Sequence, residues 1–430
     1  MTSDDRPLIL FVAPYFAPAC HGGVVQIYMG LLTRLKRYRV IVVADMVNTT
    51  EEAAKAWDAA AWQQHGFTVE RIGAFEFHMR AKGWLHRLGP IGNALGLLQF
   101  LMKGRRQWAE LLRRYKPDGV ICGGTYSAGW LMDSLPRHTA LINYIHGEEL
   151  TMQVKPRMLM PWMRRWQFRC LERADMNLSV SSYSDHLIRQ LTHAPVETLR
   201  ILPNFIDLER FHISGRREEL QAKYGWTGRT VLLTVARLEK RKGIDQVLRA
   251  LALLKQQEKL PESWRYAIGG RGAEQKRLAQ LVSDLDIASS VEFLGFVPEE
   301  DLAGLYEAAD VFVQPNREID GDTEGFGVVF LEANACGLPV IGGEAGGTAD
   351  AIDNGRTGFR VNGDSVREIA DAIAILMENC ELRLRLSQQG MEWASNFDVN
   401  QAVLRFEDLL DEAMHHHRLA EALTSVSADI

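Results

Sequence analysis

The feature that most restricts the fold is a succession of short, uninterrupted apolar runs, each of strand length and each separated from the next by segments of helical period. A first series occupies residues 8–13, 40–44, 119–122, 140–145, 176–180 and 199–202. The pattern restarts after Pro203-Asn204-Phe205-Ile206-Asp207 with 231–236, 266–268, 291–294, 311–313, 339–341 and 359–361. A strand that is apolar on both faces must be covered on both, and the intervening helices supply the cover, which selects parallel sheets in an α/β fold. Two doubly wound, Rossmann-like α/β domains are therefore expected. Their expected limits are residues 1–204 and 205–392, with 393–430 a helix and tail packing back on the first. Ligands of open α/β sheets bind beyond the carboxyl ends of the strands, so two facing sheets predict a cleft, with the informative motifs just after strands.

The chain's 430 residues suit two such domains at roughly 150 residues each. A hydrophobic content of 47% with 24% charged residues excludes disordered and collagen-like classes. The five cysteines, at 20, 122, 170, 336 and 380, form no C-x-x-C pair and no zinc spacing, and a reduced cytosolic compartment is expected. The amino terminus has no readable signal peptide, and the most apolar stretch, 91–102, is too short to cross a bilayer. The net charge of −6 is unevenly spread: residues 1–200 hold 25 basic and 17 acidic side chains, leaving 24 and 38 for the remainder. The two halves are thus expected to meet different partners.

Three stretches after strands of the second half carry chemistry. In Pro315-Asn316-Arg317-Glu318-Ile319-Asp320-Gly321-Asp322-Thr323-Glu324-Gly325-Phe326-Gly327, an acidic loop runs into a helix that Gly337 and Pro339 end. Gly325 and Gly327 allow close backbone approach to a ligand, and the first-turn amides favour an anion. Glu332, inside that helix, could accept hydrogen bonds from a sugar diol or could solvate a helix face; its apolar neighbours favour the paired state. In the second stretch, Arg237 at a strand end and Lys242 before Gly243 are placed to grip a diphosphate, whereas Lys240 and Arg241 read as solvated loop charges. The third, Gly269-Gly270-Arg271-Gly272, lacks the last glycine of a dinucleotide fingerprint, which disfavours a hydride-transfer cofactor.

Taken together, Glu324 and Glu332 in an E-x7-E spacing with Gly-Phe-Gly, the Arg237…Lys242-Gly243 pair, Gly22-Gly23 and Gly346-Gly347 resemble the retaining glycosyltransferases of family 4. The acidic loop is most similar to that of enzymes making lipid-linked glycans and phosphatidylinositol mannosides. The resemblance implies the two-domain GT-B architecture with its active site in the cleft, a UDP- or GDP-sugar in the second domain and an acceptor in the first. It implies that Arg237 and Lys242 bind the diphosphate, Glu324 the sugar hydroxyls and Glu332 the ribose. The amides of Phe326, Gly327 and Val328 would hold sugar and phosphate, Gly22, Gly23 and Gly270 would lie against the donor, and His146 would stand near the transferred sugar. Either Glu148 or Glu149 could orient the acceptor. The family's Gly-Gly-x-x-Glu ends here in Asp350, a shorter carboxylate.

No metal ion and no other cofactor is expected. Asp320-Gly321-Asp322 mimics a D-x-D metal motif but lies in the loop before Glu324, and His415-His416-His417 read as a solvated helix end. Aromatic, aliphatic and basic side chains interleave through 84–114, including Trp84, His86 and Arg87, and again through 155–166, from Lys155 and Arg157 to Trp166. Such a mixture suits a helix at an anionic membrane surface, reached from the cytoplasmic side, with a lipid or lipid-linked acceptor and no nucleic acid. The competing activity is a nucleotide-sugar epimerase of the same architecture.

Overall fold

The computed structural model describes residues 5–18, 22–46, 49–75, 89–151 and 160–428. Two compact units divide the chain: the first takes residues 1–202 and 400–430, the second 203–399. The family-wide likeness expected for the fold holds in each, since each is a parallel sheet whose strands alternate with helices.

In the first unit the strands are β1 (Leu8–Val12), β2 (Arg39–Ala44), β3 (Thr68–Arg71), β4 (Gly119–Cys122), β5 (Ala140–Ile145), β6 (Met176–Ser179) and β7 (Leu199–Ile201), in spatial order 3-2-1-4-5-6-7. Leu10, Val12, Val43 and Val120 pack with Trp108 and Trp130 from the covering helices. The sequence reading passes over β3. Thr68-Val69-Glu70-Arg71 is not an apolar run because β3 is an edge strand, and Arg71 instead pairs with Asp58 at 2.7 Å and donates to the Ala17 carbonyl at 2.6 Å. The first helix spans Gly23–Leu32 and buries Val25, Ile27, Tyr28, Leu31 and Leu32.

From Asn400 onward the long helix Val399–Ala428 belongs to the first unit. Its buried Glu407 accepts the backbone N–H of Lys36 and of Arg37, both at 2.7 Å, while Arg37 pairs with Asp408 and Asp411 at 2.8 and 2.7 Å. His417 corrects the expectation of a solvated end: Nδ1 lies 2.9 Å from Asp175 and Nε2 2.7 Å from the Arg137 carbonyl. His415 and His416 are exposed.

The second unit contains β8 (Thr230–Val235), β9 (Trp264–Gly269), β10 (Val291–Gly295), β11 (Val311–Gln314), β12 (Val340–Gly343) and β13 (Gly358–Val361), in order 10-9-8-11-12-13. Winding reverses between β8 and β11, which pair directly through Val311 with Leu232 and Phe312 with Leu233. The loops leaving these two strands lie at the sheet's carboxyl edge, the side on which open α/β sheets bind ligands.

Candidate functional site

The reversal of winding is what brings two motifs some eighty positions apart into contact. The loop after β8 carries Arg237 to Gly243, and the loop after β11 carries Pro315 to Gly327. Gly243 adopts φ +73°, and a Cβ there would run into the Pro315 carbonyl, so only glycine lets the loops close on each other. Across that contact Lys242 Nζ lies 2.5 Å from Glu324 Oε2.

Arg241 overturns its reading as a solvated charge. It is only 4% exposed, and its guanidinium reaches Glu324 Oε2 at 3.1 Å, Asp322 Oδ2 at 3.2 Å and Glu239 Oε2 at 3.3 Å. Lys240, by contrast, is exposed as expected. Nothing in a Lys-Arg-Lys run distinguishes buried Arg241 and Lys242 from exposed Lys240; the 3-10 turn Lys240–Lys242 decides it. Burial alone would push the Glu324 carboxyl up, but Lys242 and Arg241 outweigh it and hold the group below the usual range. Arg237 does not join this cluster. Its side chain is 66% exposed and pairs with Glu239 Oε1 at 2.8 Å.

The acidic loop is a tight hairpin. Ile319 and Asp322 exchange both backbone hydrogen bonds at 2.9 Å, and Asp320 and Gly321 between them have φ of +53° and +83°, the signature of a type I′ turn. Both aspartates of the D-x-D pattern thereby have a local account: Asp320 makes the turn and Asp322 pairs with Arg241. Sequence reasoning also missed two anchors of this loop. Buried Arg317 pairs with Asp245 at 3.0 Å, and Asn316 accepts the Gly343 N–H at 3.2 Å while donating to the Ala345 carbonyl at 3.0 Å.

Beyond the hairpin, the helix Val328–Ala335 begins at Gly327, whose φ is +93°, and its amino terminus, like that of any helix, favours an anion. Phe326 is buried, its ring edging that of Phe397. Glu332, one turn into the helix, accepts from the Tyr306 hydroxyl at 2.9 Å, so it is a paired, half-buried carboxyl rather than a solvated one; burial raises its pKa, with the Tyr306 bond opposing. Gly346 packs on the Glu324 carbonyl and Gly347 N–H donates to it at 2.8 Å. Gly270, at φ +127°, needs to be glycine for a protein reason, since a Cβ would strike the Ala236 carbonyl.

Gly22, Gly23 and His146 belong to the first unit, apart in sequence from the cluster above. Gly22 and Gly23 are exposed, and a Cβ at either would meet no atom within 4 Å, so packing does not call for glycine there. The helix they open carries Tyr28, whose hydroxyl donates to the Gly123 carbonyl at 2.6 Å and whose ring edges that of His146 at 5.3 Å. His146, after β5, is buried between Tyr28 and Tyr144, with neither ring nitrogen hydrogen-bonded among the described residues. Burial lowers its pKa to about 3, so the imidazole is neutral. Glu149 Oε1 accepts the His146 backbone N–H at 3.1 Å, and burial raises that carboxyl to about 7.

Residues 22–210 match the family described as Glycosyltransferase Family 4, and residues 216–393 that described as Glycosyl transferases group 1. The GDP-mannose-dependent alpha-(1-6)-phosphatidylinositol monomannoside mannosyltransferase of Mycolicibacterium smegmatis is 32% identical over 252 residues, 58% of this chain and 64% of that one. The chain therefore aligns with less than two thirds of that relative's length. The D-inositol 3-phosphate glycosyltransferase of Corynebacterium efficiens is 31% identical over 344 residues, 74% of each chain. Among solved structures, HepE of Anabaena in complex with UDP matches with a TM-score of 0.72 at 20% identity, over 94% of this chain and 99% of that one, a likeness of fold.

Proposed function

The chain belongs to glycosyltransferase family 4, and from that premise we propose that it transfers a sugar, with retention, from a nucleoside-diphosphate sugar to the hydroxyl of a lipid or lipid-linked acceptor. The observation that carries the reading is the meeting of Lys242, Glu324 and the Gly327 helix tip where the second sheet reverses its winding. A cation beside a carboxylate and a helix amino terminus suits a ligand that is anionic at one end and hydroxylated at the other.

In this reading Lys242 and the exposed Arg237 take the diphosphate, and Glu324 with the amides of Phe326, Gly327 and Val328 takes the sugar. Glu332 takes the ribose. Gly22, Gly23 and Gly270 allow backbone to approach the donor, and the neutral His146 lies beside the transferred sugar as a hydrogen-bonding group, not a cation. As the bond from the anomeric carbon to the phosphate oxygen breaks, charge grows on the diphosphate, and the cations and helix tip stabilise it without a divalent ion. The acceptor oxygen bonds to the same face of the sugar, and its proton passes to the departing phosphate oxygen.

Relatives named for GDP-mannose and phosphatidylinositol mannosides support GDP-mannose as the donor and an inositol lipid as the acceptor. On the helix Gly89–Tyr115, exposed Leu95, Leu98 and Met102 are bordered by exposed Lys103, Arg105 and Arg106, and Trp162 projects from the helix Met160–Arg173 beside exposed Arg165 and Arg169. This supports docking on an anionic bilayer, reached from the cytoplasmic face. Trp84, His86, Arg87, Lys155 and Arg157 of the same stretches lie outside the described residues. No described helix is long and apolar enough to cross a membrane.

The test is transfer of labelled mannose from GDP-mannose to phosphatidylinositol vesicles, followed by chromatography of the lipid. Labelled lipid is expected, with a loss of at least about a hundredfold for Glu324→Ala. Conversion of the donor in the absence of acceptor would indicate an epimerase instead. Failure of the protein to float with anionic vesicles at low salt would remove the membrane part of the reading.

A further inference from the structure

We propose that Arg241 is a positioning residue that acts through Glu324, turning one carboxylate oxygen toward the transferred sugar. The inference rests on the reading of Glu324 as the sugar-holding carboxylate and deepens it.

Both cations that hold Glu324 fall on the same atom. Lys242 Nζ and Arg241 Nη1 lie 2.5 and 3.1 Å from Oε2, and among the described residues Oε1 has no protein partner. A single ammonium is a swivelling point charge and leaves a carboxylate free to rotate about its bond to the side chain. A planar guanidinium sharing the same oxygen removes that freedom, provided that it is itself fixed. Arg241 is fixed from several sides. Its Nε faces Glu239 at 3.3 Å and Asp322 at 3.2 Å, and its carbonyl accepts the Arg317 N–H at 2.8 Å. Arg317 is locked in turn by Asp245, both of whose oxygens lie 3.0 Å away.

The hairpin gains a purpose from this arrangement. It carries Asp322 to the far side of Arg241, so the guanidinium is held between the hairpin and Glu324 rather than beside either alone. The diphosphate does not depend on that orientation, because Lys242 and Arg237 keep their charge whatever the rotation of Glu324. Loss of Arg241 should therefore be felt by a donor carrying its sugar and not by the nucleoside diphosphate alone.

Calorimetric titration of the full chain with GDP, GDP-mannose, UDP and UDP-glucose tests this. For whichever pair binds the wild-type protein, Arg241→Gln is expected to weaken the nucleotide sugar by on the order of tenfold while leaving the nucleoside diphosphate within about twofold. Arg241→Lys should restore only part of the loss, since an ammonium cannot bridge Asp322 and Glu324 as the fork does. Equal weakening of both ligands, or no change in either, would overturn the proposal. Should Arg241→Gln fail to fold, Asp322→Asn carries the same comparison with a smaller selective loss expected. A wild-type protein that binds none of the four ligands would instead overturn the donor reading, and this inference with it.

Discussion

Two ionisable side chains of the first unit are driven by burial in opposite chemical senses. His146 has its pKa lowered to about 3 and Glu149 has its own raised to about 7, so both are neutral over much of the working range although they are linked through one backbone hydrogen bond. For Glu149 the folded state binds the proton more tightly than the unfolded chain does, so its contribution to stability is full below about pH 4.5 and is lost as pH rises through about 7. Melting curves of wild type and Glu149→Gln between pH 5 and 8 should show the wild type losing stability relative to the variant as pH rises. A constant offset would mean that Glu149 titrates normally. For His146 the sign is reversed, with stability lost as pH falls below about 6.5 towards 3.

At the scale of elements, the site depends on two loops that meet through a single glycine. A side chain at Gly243 faces both a positive φ of +73° and the Pro315 carbonyl, so Gly243→Ala should force the loops apart and separate Lys242 from Glu324. The expected cost is about 1–3 kcal/mol of stability, read by thermal melting, together with loss of donor binding out of proportion to it. The strands flanking these loops were legible because a parallel sheet covered on both faces leaves continuous apolar runs, as in 231–236 and 311–313. Edge strand β3, half polar, left no such trace. Glu324, Glu332 and Lys242 were legible by their spacing after strands, whereas Arg241, Arg317 and Tyr306 were not. Their importance comes from partners such as Glu324, Asp245 and Glu332, which are close only once the strands have been ordered in the sheet. The same ordering gave Asp320 and Asp322 a turn and an ion pair, which residue spacing alone could not reveal.

Across the whole molecule, the last helix matters more to the first unit than its position in the chain suggests. Buried Glu407 accepts from the amides of Lys36 and Arg37, and its removal would cost both of these hydrogen bonds and the ion pair with Arg37. Glu407→Ala is expected to cost about 1 kcal/mol for each hydrogen bond lost, and thus to lower the melting temperature of the first unit by several degrees. Calorimetry that left the first unit's transition unmoved would show that the helix is dispensable there. Because the helix returns to the first unit after the second has been completed, the backbone passes from one unit to the other at 202/203 and back again at 399/400. The second unit is thus an insertion between two segments of the first. A protease that nicks one crossing leaves the second unit covalently joined to only one segment of the first, so that the packing of the last helix alone must hold the two fragments together, and only cleavage at both crossings detaches the second unit from every part of the first.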